Sequence, residues 1–217
     1  MNWPILFILV PPILLALSFH EYAHGYIAYR FGDSTAKDMG RLTMNPFSHL
    51  DPIGTIMLFL VHFGWARPVP VNPLNLRNPK KDILWVSLAG PASNLILAAI
   101  FGIVLRIIGP GFIRGIDLSF LGLLRLMIIY GVIINLALCI FNLIPIPPLD
   151  GSKILKSLLP LELEYKYEEY ERYGPLILIG LVLLGAYARI PILWMIISPF
   201  ISIFSYIFTG YNLIYYF

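Results

Sequence analysis

Residues 4–29 read PILFILVPPILLALSFHEYAHGYIAY, an apolar run interrupted near its end by His20-Glu21-Tyr22-Ala23-His24. As a helix, this stretch is about 39 Å long at 1.5 Å per residue, enough to cross a hydrocarbon core of about 30 Å. Its start lacks a basic region and a small-residue cleavage site, so it is expected to be a retained span and not a removed signal. Pro11 and Pro12 either kink this helix or begin its main part, because proline is tolerated in a first turn.

The rest of the chain repeats the pattern. Of 217 residues, 59% are hydrophobic and 12% charged, with a mean hydropathy of +0.81. A soluble domain carries about a quarter charged residues. Residues 83–108 and 121–144 are each long enough to span, and 175–208 are apolar except Arg189. The last block forms two short spans or one long bent one. IGTIMLFLVHFGWA at 53–66 is too short to cross and reads as a re-entrant or interfacial segment. LELEYKYEEYERYG at 161–174 reads as a surface helix with interfacial tyrosines. The expected fold is therefore an all-α polytopic membrane protein. It has about five transmembrane helices, the re-entrant or interfacial segment, and a small inner-side β element over DMGRLTMN at 38–45. No repeat or separate soluble domain is evident, so residues 1–217 read as one membrane-embedded domain, with a core at about 4–155 and C-terminal helices at 175–208.

Basic residues in loops favour the cytoplasmic side. With the end of the first span inside, Arg30, Lys37, Arg41, Arg67, Arg77, Lys80, Lys81, Lys153, Lys156, Lys166 and Arg172 lie inside. Arg106, Arg114, Arg125 and Arg189 then lie outside. The net charge of +3 is small, and no basic cluster with interleaved aromatics points to nucleic acid. A single cysteine, Cys139, excludes a disulfide framework.

His20-Glu21-Tyr22-Ala23-His24 is an H-E-x-x-H pattern. Residues four apart share a helix face, so two imidazoles can hold one Zn²⁺, with Glu21 beside the open position as general base. Glu21 is also the only glutamate before residue 162. Ionisable groups in a span are costly and are functional by default. A polar cluster that glues helices together is the competing explanation.

Catalytic zinc takes three protein ligands and keeps one position open. Position 30 is arginine, which excludes the longer pattern with a third histidine there. Asp117 falls on the outer side. The inner-side candidates are Asp150, Asp51, His49 and His62. Asp150 fits best: it follows the 121–144 span in NLIPIPPLDGSKI (142–154), where Pro145, Pro147 and Pro148 break the helix. Irregular backbone at membrane depth is tolerated inside protein or at a watery cavity. Capping of the following segment is a competing role for Asp150. His49 and His62 read more readily as supporting or interfacial residues than as ligands.

HEYAH in an early span, with Leu149-Asp150-Gly151 more than a hundred residues later, resembles the site-2 protease family of intramembrane zinc metalloproteases. GRLTMNPFSHLDPIGT (40–55), FGWARPVPVNP (63–73) and AGPASN (89–94) are similar to family segments, and the resemblance covers about residues 15–155. It implies one zinc ion per chain held by His20, His24 and Asp150, Glu21 as catalytic glutamate, and Asn142 assisting the developing oxyanion. An interhelical hydrogen bond is the competing role for Asn142, and helix packing explains AGPASN, with Asn94, equally well. The resemblance further implies peptide-bond hydrolysis in transmembrane protein substrates, and a site nearer the cytoplasmic side of a membrane, read as a prokaryotic cell membrane from the compact form. Many relatives carry PDZ or CBS domains, and neither is recognised in these residues, which leaves substrate recruitment open. An edge of the 38–45 strand is expected to pair with unwound substrate.

Two other classes compete. A metal transporter needs a polar path through the bilayer, and the outer halves of 83–108 and 121–144 offer few polar groups. A catalytically silent zinc-binding scaffold would not need Glu21.

Overall fold

The computed structural model describes residues 3–61, 64–109 and 119–216. α1 (Trp3–Arg30) runs unbroken through Pro11 and Pro12. It closes at Gly32, whose φ of +111° suits a residue without Cβ. A short α2 (Thr35–Asp38) and the ten-residue α3 (Pro52–Val61) follow. At about 15 Å, α3 reaches half-way across a hydrocarbon core, as its length in sequence implied.

α4 (Pro79–Ile108) opens with proline in its first turn, and the Asp82 carboxylate accepts from the Asn78 N–H at 2.7 Å. α5 (Phe120–Leu143) is capped by Ser119, whose Oγ accepts from the Gly122 N–H at 3.1 Å. α6 (Asp150–Leu158), α7 (Leu161–Glu171), α8 (Gly174–Tyr187) and α9 (Ile192–Thr209) complete the chain.

Four helices among those described are long and apolar enough to cross a membrane: Phe7–Arg30 of α1, then α4, α5 and α9. The fifth apolar helix, α8, has 14 residues and spans about 21 Å, short of a full crossing. The 175–208 block is thus two helices. They part where Arg189 takes a φ of 55° and Pro191 precedes the first turn of α9.

Residues 38–45 do not form the expected strand. The N–H groups of Arg41 and Leu42 both return to the Ala36 carbonyl, ending α2, and the Thr43 carbonyl accepts from His49 Nε2 at 2.7 Å. Three of the main-chain groups a strand would use are thus bonded locally. Among the described residues β pairing reduces to an isolated antiparallel bridge between Leu50 and Ala66.

α4, α5 and α9 share the apolar core, built from Ala98, Leu105, Ile129, Val132, Leu136 and Ile201. α4 and α9 approach closely at Gly102, where a Cβ would stand 2.5 Å from Phe208 Cβ. α1 packs on α4 and α5 on one side of this core. The run of α1, α4 and α5 is alternating, so the C-terminal end of α1, the N-terminal end of α4 and the C-terminal end of α5 meet at one end of the bundle. That end carries the site.

Candidate metal centre and active site

His20 and His24 project from one face of α1, with ring centroids 4.6 Å apart. His20 lies about 15 Å before the end of the helix at Arg30. The two Nε2 atoms are 3.0 Å apart, and Asp150 Oδ2 stands 3.2 Å from His20 Nε2 and 3.1 Å from His24 Nε2. All three residues are buried. Three ligands about 2.0–2.1 Å from a tetrahedral zinc form a triangle with edges of about 3.3 Å. The triangle here is that size to within a few tenths of an ångström, and its members are the neutral-nitrogen and carboxylate donors zinc takes.

Two glycines permit this convergence. A Cβ at Gly90 would collide with His24 Nε2 and lie 2.6 Å from His20 Nε2 and Cε1, so α4 can cover the imidazoles only with glycine there. A Cβ at Gly151 would collide with the Leu143 carbonyl and lie 2.5 Å from that of Ile144. Glycine lets the start of α6 press against the broken end of α5, which carries the neighbouring Asp150 inward. Leu149 occupies the N-cap position of α6 and no side chain caps the helix. The carboxylate of Asp150 is therefore turned to the histidines and not to its own helix.

The outer nitrogens of both rings are held. His24 Nδ1 meets the Val86 carbonyl at 2.7 Å, and His20 Nδ1 meets Asn94 Oδ1 at 2.7 Å. The Asn94 amide donates to the Ala16 carbonyl at 3.1 Å and to Asn135 Oδ1 at 2.9 Å. Asn94 does more than pack α4: it touches a residue of the metal triangle. Asn135, one of two amides inside the apolar α5, was not singled out in the sequence.

Glu21 Oε2 accepts from the Val69 N–H at 2.8 Å. The extended segment bearing Val69 is tied at both ends. The Arg67 N–H donates to the His49 carbonyl at 2.8 Å, and Arg41 donates to the Arg67 carbonyl at 2.9 Å. At the other end the Asn72 N–H donates to Asp33 Oδ2 at 2.7 Å. Asp33 is buried and also accepts from the Thr35 N–H and from Asn75 Nδ2, at 3.1 and 3.0 Å. Burial by itself would raise the Asp33 pKa, but the donors from Thr35, Asn75 and Asn72 outweigh it and hold the carboxyl below its ordinary value.

A cavity of about 690 Å³ is lined by His20, Glu21, His24, Asn142 and Asp150, with Lys80, Lys156 and Glu164 among its other walls. Asn142 Nδ2 donates to the Leu138 carbonyl at 3.0 Å, a bond within its own helix. His49 is buried in the loop before α3, and Asp51 caps α3 by accepting from the Gly54 N–H at 2.7 Å. The triangle is completed by Asp150 and by neither of these. His62 and Asp117 lie outside the described residues.

Residues 107–185 match the model of a family described as Peptidase family M50. "Putative zinc metalloprotease YwhC" of Bacillus subtilis is 41% identical over 202 residues, 92% of each chain. The chain belongs to peptidase family M50, the site-2 protease family. "Putative zinc metalloprotease Rip2" of Mycolicibacterium smegmatis is 32% identical over 186 residues, 81% of this chain and 66% of the relative. "Zinc metalloprotease MJ0392" of Methanocaldococcus jannaschii is 29% identical over 163 residues, 75% of this chain and 37% of the relative. No solved structure matches. The chain is a zinc metalloprotease of this family and an integral membrane protein.

Two outcomes follow from this geometry. Gly90→Ala drives a methyl group into both imidazoles, so the purified variant should carry well below one zinc per chain by atomic absorption while wild type carries one. Asp33→Ala frees one end of the Val69 segment, and limited proteolysis within 64–78 should speed up with zinc retained. A carboxyl with a lowered folded pKa stabilises fully above its unfolded value, about 3.9, and stops doing so as pH falls through the folded value. Wild type should therefore resist this nicking at neutral pH and lose protection in strongly acid solution, whereas Asp33→Ala should show no such loss over the same acid range.

Proposed function

We propose that this protein is a site-2-type endopeptidase that hydrolyses peptide bonds in or near the transmembrane segments of other membrane proteins. The observation that carries this reading is the buried His20–His24–Asp150 triangle, two of whose members lie within the membrane-length α1, with Glu21 lining the same cavity. A site at that depth meets peptide bonds that soluble proteases do not reach.

His20, His24 and Asp150 would hold the zinc. When bound, zinc supplies Lewis acidity, which acidifies water and polarises a carbonyl. Glu21 takes the proton of the attacking water on a carboxylate oxygen and returns it to the leaving amine. The Val69 N–H occupies Oε2 and so leaves Oε1 for that transfer. Asn142, on the cavity wall, has a second amide N–H beyond the one given to Leu138, and it is the donor for the developing oxyanion. A transmembrane helix must unwind locally before its carbonyls reach this set, because its own hydrogen bonds sheathe them. The basic loops lie at the site's end of the bundle, which supports a site nearer the cytoplasmic face. A prokaryotic cell membrane and a single membrane-embedded protease domain over residues 1–217 fit the same reading.

The test is cleavage of a single-span protein by purified, detergent-solubilised enzyme, with the cut located by mass spectrometry. Wild type should cut in or near the span. Glu21→Gln should bind zinc without cutting, and chelated wild type should be inactive. Equal cleavage in all three samples, or cuts confined to soluble tails far from the span, would overturn the proposal. Asn142→Leu should keep zinc and KM but lower kcat by roughly 100-fold, the usual cost of removing one oxyanion donor.

A further inference from the structure

We infer that Asn94 and Asn135 are positioning residues that fix the His20 imidazole with its proton on Nδ1, so that Nε2 keeps its lone pair for the metal. The inference rests on the reading of His20 as a ligand. It concerns how that ligand is held, through two amides on two other spans.

The argument starts at a group whose hydrogen-bonding role admits no choice. The Gly131 carbonyl can accept and cannot donate, and the Asn135 side chain meets it at 2.8 Å. The nitrogen of the Asn135 amide must lie on that side, so its oxygen faces Asn94. The Ala16 carbonyl imposes the same condition on Asn94, whose amide nitrogen lies 3.1 Å from it. One N–H of Asn94 then goes to Ala16 and the other to Asn135 Oδ1, and both are used. Asn94 Oδ1 is left as an acceptor facing His20 Nδ1 at 2.7 Å, and the imidazole must donate there. Two main-chain carbonyls thus decide, through two side-chain amides, which ring nitrogen of His20 carries hydrogen.

Burial makes the choice firm. Asn94 and Asn135 are both 0% exposed. Turning either amide over would set nitrogen against nitrogen or oxygen against a carbonyl with no water to relieve it. His24 needs no such chain, because the Val86 carbonyl accepts from it directly. His20 lies one turn earlier on α1, and there the side-chain oxygen of Asn94, also on α4, takes the place of a main-chain carbonyl.

A structural amide bridge between helices would also be buried and bonded. Zinc affinity separates the two roles. The full-length protein in detergent is titrated against a chromophoric zinc chelator as wild type, Asn94→Leu, Asn135→Leu, Asn135→Asp and the double leucine variant. Loss of a partner behind a ligand weakens metal binding by about 10–100-fold, and Asn94→Leu should show that loss. Asn135→Leu should weaken zinc binding by a smaller factor, about threefold or more, because Ala16 still holds Asn94. Asn135→Asp should bind like wild type, since a neutral carboxyl buried among apolar groups offers the same carbonyl acceptor and a hydroxyl donor for Gly131. The double variant should bind no more weakly than Asn94→Leu.

Wild-type affinity in a folded Asn135→Leu, or leucine effects that multiply in the double variant, would overturn the inference. Nitrogen-15 NMR of the histidines in wild type tests it without any variant: His20 should carry hydrogen on Nδ1, and hydrogen on Nε2 would defeat it. Full zinc binding by His20→Ala would instead remove the ligand reading beneath it, so the two failures are distinguishable.

Discussion

Three donor atoms held 3.0–3.2 Å apart inside a membrane protein are a demanding arrangement. Two nitrogens and a carboxylate oxygen at that spacing cannot all satisfy one another, and unpaired polar groups away from water cost several kcal/mol. A divalent cation resolves the conflict. Much of the surrounding structure serves to keep the triangle closed. Gly90 lets α4 lie against the imidazoles, and Gly151 lets α6 abut the end of α5. Val86 and Asn94 take the outer nitrogens of the rings.

The second requirement is an irregular chain at the mouth of the site. The proline-rich turn between α5 and α6 and the extended segment around Val69 have backbone groups that no helix satisfies. Around Val69 buried side chains supply the partners. Asp33 gathers donors from Thr35, Asn72 and Asn75, and Glu21 takes the N–H of Val69. Pro68 and Pro70 flank Val69 and have no N–H to satisfy. The Glu21 carboxylate thereby has a main-chain donor, the Val69 N–H, as a partner. Further out, α7 is tied across the cavity rim by Lys80 to Glu164 at 2.6 Å and Lys156 to Glu168 at 2.7 Å. These pairs are partly exposed, and such pairs contribute about 1 kcal/mol or less, so α7 is held lightly.

One element, the strand at 38–45, was misread from sequence. Thr43 has a β-branched side chain that favours strands, yet Gly40 with φ of +66° and the return of two N–H groups to Ala36 make the segment a helix ending. Local hydrogen bonding overrode propensity there. The C-terminal apolar block was legible as membrane-seeking, and its division into α8 and α9 falls at Arg189, with φ of 55°, and Pro191. Asn135 was passed over because one amide in an apolar run announces nothing until its partner is known.

The sequence by itself determined the solvent, the helical class and the chemistry. Long apolar blocks require a bilayer and self-satisfied backbone, and histidines four apart on a helix share a face whatever surrounds them. His20 and His24 were legible as a candidate metal pair without tertiary information, and Asp150 as a candidate third member from the broken helix that precedes it. Tertiary structure decided what depends on distance between remote segments: the 126-residue span between His24 and Asp150 closed to 3.1 Å, the Val69 amide on Glu21, and the chain of amides behind His20. Helical periodicity fixes neighbours within one turn, whereas contacts across the bundle depend on which glycines permit close approach and which buried groups must find partners.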